Sequence, residues 1–67
     1  MNFSDFTERQ KTVLQLLAQG MTYDQIAMRI GYSHSTVRME LMAMYRAFDV
    51  SSRREAIVEA IRAGVIT

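Results

Sequence analysis

The sequence predicts an all-α fold, a four-helix bundle, and three observations predict it. Apolar residues recur along the 67-residue chain at the three-to-four spacing of a helical face. There is no proline, and all three glycines, Gly20, Gly31 and Gly64, fall just after such a segment, where a helix ends. A threonine or serine that can cap a first turn precedes each segment: Thr7, Thr22, Ser33 and Ser52. These signals place helices at about 8–19, 23–30, 34–48 and 52–63, in one domain covering residues 1–67.

In the first helix, Thr7-Glu-Arg-Gln10 reads as a capping box, with Glu8 suited to the positive end of the helix dipole. Val13, Leu14, Leu16 and Leu17 form its buried face, and Phe6 is expected to fold back onto the core. The second helix opens on another box, Thr22 with Gln25. It buries Ile26, Ala27 and Ile30 and ends at Gly31, where a left-handed conformation suits glycine. Ser33 then caps the third helix. Two helices joined by a tight glycine turn form a helix-turn-helix, the geometry that holds a recognition helix in a DNA major groove. A plain helical hairpin has the same spacing, so at this point both readings stand.

In the third helix Val37, Leu41, Met44, Tyr45 and Phe48 make a continuous core stripe. At about 100° per residue the opposite face carries Ser35, Met39, Met42 and Arg46, with Arg38 on its shoulder. A solvated helix back is normally charged. Two methionines among arginines mark a contact surface instead, either for thymine methyls or for another protein. After the loop at Asp49-Val50-Ser51, Ser52 and Glu55 read as a third capping box. Ala56, Ile57, Ala60 and Ile61 are expected to face inward, with Val58 and Arg62 outside and Val65 closing the turn after Gly64. Tyr23 and Tyr32 read as packing residues with their hydroxyls at the rim, and His34 as solvent-exposed.

Composition narrows the function. Apolar residues make up 49% of the chain, enough for a packed core, and the size is near the limit for folding without staples. With no cysteine, one lysine and one histidine, neither a nucleophile–base pair nor a metal cluster can be assembled, so no enzyme, metal or cofactor is expected. No run of residues is apolar enough to span a bilayer and no signal peptide is seen, so a cytoplasmic location is expected. Net charge is only +1, yet between residues 29 and 54 Arg29, Arg38, Arg46, Arg53 and Arg54 face only Glu40 and Asp49. The positive surplus sits where the third helix and its following loop lie, which suits nucleic acid, and an ordinary surface can carry a patch of the same size.

From Phe6 to Ile66 the chain resembles the DNA-binding domain of the LuxR/GerE family, also called the NarL/FixJ type. The resemblance is carried by Thr7-Glu-Arg-Gln10, Val13-Leu14-Gln-Leu-Leu-Ala-Gln-Gly20, Ile26-Ala27, Ile30-Gly31, Ser33, Thr36-Val37-Arg38, Tyr45, Val50-Ser-Ser-Arg53 and Glu55-Ala56, in order and at the family's spacing. It implies a bacterial transcription factor that binds double-stranded DNA. Under it, Arg38 is the basic residue entering the major groove, Met39 and Met42 are its base-facing neighbours, and Thr36 and Arg53 touch the DNA backbone. The fourth helix, through Val58 and Arg62, becomes a homodimer contact. Two departures stand out. Glu40 replaces a frequent histidine, and Ala47-Phe48-Asp49 replaces lysine-leucine-glycine, which implies weaker intrinsic DNA binding.

Two functions follow from different classes. One is sequence-specific DNA binding as a dimer. The other is a protein-interaction module that binds another transcription regulator, or RNA polymerase, through the Met39/Met42 face or the fourth helix. The basic middle segment and the intact Thr36-Val37-Arg38 motif favour the first.

Overall fold

The computed structural model describes residues 6–66 and shows four helices in the expected order: α1 (Glu8–Ala18), α2 (Tyr23–Ile30), α3 (His34–Phe48) and α4 (Arg53–Arg62). Their ends agree with the sequence reading to within a residue, because the caps that set them are local. Thr7 and Gln10 form a reciprocal capping box, and so do Thr22 and Gln25. Ser33 Oγ accepts the Thr36 amide at 3.1 Å and starts α3. The third box is only half formed. Ser52 Oγ accepts the Glu55 amide, but it also donates to the Glu55 carboxylate, which therefore does not reach back to the Ser52 amide.

α3 packs against all three other helices, α1 does the same, and α2 and α4 have no contact with each other. The shared core joins Val13, Leu14 and Leu17 of α1 to Ile26 of α2, Val37, Leu41 and Met44 of α3, and Ala56 and Ala60 of α4. Phe6 does fold back, meeting the Phe48 ring edge-on at 5.4 Å between centroids. Among the described residues no charged side chain is buried, and the one buried side-chain polar atom without a hydrogen-bond partner is the Tyr45 hydroxyl.

Two inward expectations fail. Ile61 is 50% exposed. Ala56 and Ala60 are the fully buried residues of α4, and Ile61 lies about 140° round the helix from Ala56, outside the buried strip. Tyr32 is exposed rather than packed, its ring and hydroxyl both engaged by Arg9 at the surface. One core residue escaped the sequence reading. Ile66 is buried beyond the last helix, because the turn at Gly64 bonds the Val65 amide back to the Ala60 carbonyl at 2.9 Å and folds the chain end inward.

Candidate nucleic-acid interface

The turn between α2 and α3 positions the site. Gly31 adopts φ 77°, ψ 29°, the left-handed conformation that the sequence predicts there. Its amide and that of Tyr32 both bond the Ala27 carbonyl, at 2.9 and 3.0 Å, so α2 stops abruptly and the chain redirects into α3. The core stripe of α3 then fixes the helix rotation, with Val37, Leu41, Met44, Tyr45 and Phe48 all buried.

That rotation turns Met39 to the outside as a crest, 72% exposed. On one slope Ser35, Arg38, Met39, Met42 and Arg46 line a shallow groove of about 360 Å³, the set of residues that helical spacing predicts. On the other, Thr36, Met39, Glu40 and Ala43 line a second groove of about 300 Å³. Met42 is half-buried and leans on the core, so the exposed apolar contact is chiefly Met39. Arg38 and Arg46 are exposed and meet no acid among the described residues. Thr36 is half-buried, its hydroxyl 3.0 Å from that of Ser33.

The acids are differently disposed. Glu8 pairs with Lys11, Asp24 with His34, Glu40 with Arg9 and Glu59 with Arg62. His34 is exposed as expected, but its Nδ1 lies 3.0 Å from Asp24 Oδ1 and its ring meets Tyr23 edge-on. The Arg9–Glu40 pair was not legible in the sequence, since 31 positions separate the partners. Arg9 also donates from Nη1 to the Tyr32 hydroxyl at 3.1 Å and lies 4.9 Å from that ring's centroid, which keeps Tyr32 outside the core. The Tyr32 hydrogen bond, followed by the Glu40 hydrogen bond and charge, raises the Arg9 pKa further above its already high value.

Arg53, expected to touch the DNA backbone, has a different occupation here. Its Nη2 donates to the Leu17 and Met21 carbonyls, both at 2.8 Å. α1 has no basic residue in its last turn, and Arg53 supplies a cation and hydrogen-bond donor there. It thereby clamps the start of α4 to the α1–α2 connection. Val58 and Arg62 lie on the outer surface of α4, as expected, with Ile61 exposed beside them.

A capped two-helix unit, a tight glycine turn and an arginine-flanked outer ridge define a helix-turn-helix domain. Residues 4–60 match the family described as bacterial regulatory proteins, luxR family. The chain belongs to that family. It is 33% identical over 66 residues to the transcriptional regulatory protein YdfI of Bacillus subtilis, covering 98% of this chain and 31% of YdfI. It is 39% identical over 56 residues to the nitrate/nitrite response regulator protein NarP of Escherichia coli, covering 84% of this chain and 26% of NarP. The chain thus spans less than a third of either relative. A solved structure of the transcription factor GerE superposes with a TM-score of 0.88 at 29% identity, covering 92% of each chain. The resemblance read from the sequence is the family found, and the fold is that of a LuxR-type DNA-binding domain.

Proposed function

We propose that the chain binds double-stranded DNA in a sequence-specific way, as a cytoplasmic transcriptional regulator or the DNA-binding domain of one, with α3 in the major groove. One observation carries this reading: Arg38 and Arg46 stand without acidic partners beside exposed Met39, on a helix whose other side is fixed in the core. Arginine can bond guanine bidentately, and methionine offers apolar contact to thymine methyls. Ser35, near the helix N-terminus, and Thr36 extend the surface toward the DNA backbone. Arg38→Ala is expected to cost about 1–3 kcal/mol at a duplex recovered by random-oligonucleotide selection, with wild-type affinity falling steeply as salt rises. Unchanged affinity in the variant would contradict the reading.

The outer surface of α4 completes the proposal. Val58, Ile61 and Arg62 form an exposed strip suited to a second copy, which would place two α3 helices on paired half-sites. A separate apolar surface, outside both the Met39/Met42 face and the fourth helix, is open to another regulator. Met28 is 84% exposed on α2 and shares a groove of about 460 Å³ with Met21, Gln25 and Arg29. That surface lies on a different helix from Met39 and Met42, so a DNA titration separates the two.

A further inference from the structure

The two slopes of α3 differ in charge. One carries Arg38 and Arg46 without acidic partners, whereas the only charged residue lining the other groove is Glu40. The Glu40 side chain is 16% exposed and its carboxylate is paired with Arg9 of α1. Arg9 is itself held by the Tyr32 hydroxyl and ring, at the turn into α3. A bare carboxylate beside Met39 would repel a phosphate backbone, since charges act over about 8 Å at physiological salt.

We infer that Arg9 is a positioning residue of the DNA interface: it holds the Glu40 carboxylate against α1 and cancels its charge, so that the second slope meets DNA neutral. Glu40 in turn keeps Arg9 from adding its charge to the affinity. The pair therefore sets how tightly Arg38 and Arg46 hold a duplex. This inference rests on the DNA-binding reading proposed above.

The test is fluorescence anisotropy with a labelled random-sequence duplex, with circular dichroism reporting that each variant is folded. Arg9→Gln is expected to weaken binding several-fold, and Glu40→Gln to strengthen it. Freeing one cation steepens the salt dependence, so the Glu40→Gln advantage shrinks by about threefold between 50 and 200 mM salt. The double variant, Arg9→Gln with Glu40→Gln, is expected to return near wild-type affinity. A merely structural Arg9 would leave the double variant as weak as Arg9→Gln, which would overturn the inference, as would an unaltered Arg9→Gln. Glu8→Gln changes net charge equally at a side chain that lines neither groove, so a gain as large as that of Glu40→Gln would also overturn it. Arg38→Ala, measured alongside on a duplex recovered by selection, separates the two failures. If it weakens binding while the Arg9 and Glu40 variants do nothing, only this inference falls; if it too does nothing, the DNA reading falls with it.

Discussion

Asp49 ends α3 at φ 58°, the only described residue other than glycine in the left-handed region. Its amide bonds the Arg46 carbonyl and the Val50 amide bonds that of Tyr45, so the turn is made despite the strain a Cβ brings there. Asp49→Gly is expected to raise stability by about 0.5–1 kcal/mol in urea unfolding, glycine's greater freedom in the unfolded chain offsetting part of the relief. Tyr45 carries a second local cost, of desolvation rather than of backbone conformation. Its hydroxyl is buried without a hydrogen-bond partner, with Tyr23 as its neighbour. Burial first, and Tyr23 second, push its pKa up to about 12, against the opposing charge of Arg53. A phenol whose folded pKa is raised loses its stabilising share as pH climbs, from its unfolded value of about 10 through the folded value. Tyr45→Phe removes both the orphan hydroxyl and the titration. In unfolding experiments it should equal or exceed wild-type stability at neutral pH and fall less steeply between pH 10 and 12. The turn at Asp49 has a signal in the sequence, since the family the chain resembles carries glycine there, whereas the orphan Tyr45 hydroxyl has none. A helical stripe places Tyr45 in the core without fixing where its hydroxyl goes.

Helices were the most legible scale, because caps and stripes are written within four residues of where they act. Thr22 with Gln25, Gly31 and Ser33 located the turn, and the α3 stripe located its rotation. What the sequence does not show depends on residues far apart in the chain. The width of the α4 buried strip is set by its seat on α1 and α3, and so Ile61 was misplaced. Arg53 was carried to the DNA backbone by resemblance, while its hydrogen bonds to Leu17 and Met21 cross more than 30 positions and leave no local signal. At this scale the proposed dimer is testable. Val58→Arg should move the protein toward monomer in sedimentation velocity and weaken binding to paired half-sites. A wild-type protein already monomeric, or a variant unchanged in both measurements, would remove α4 from the interface.

For the molecule as a whole, a net charge of +1 understates what a duplex would meet. Among the described residues Glu8, Asp24, Glu40 and Glu59 are each paired; outside any ion pair stand five arginines, Arg29, Arg38, Arg46, Arg53 and Arg54, against two acids, Asp49 and Glu55. The uncompensated charge is therefore positive and partly concentrated on α3, where phosphate neutralisation would act. Glu40 looked like an obstacle to DNA from the sequence, and only the fold brings Arg9 to it. The central claim is that the outer ridge of α3 is the surface a duplex occupies. Methionine is placed to report on it directly, with Met39 and Met42 on that ridge, Met28 exposed on α2 and Met44 buried in the core. The measurement is a titration of methyl-labelled protein with a selected duplex, followed by NMR of the methionine methyls. The Met39 and Met42 signals should shift, with Met28 and Met44 left in place; a shift of Met28 with Met39 and Met42 unmoved would contradict the account.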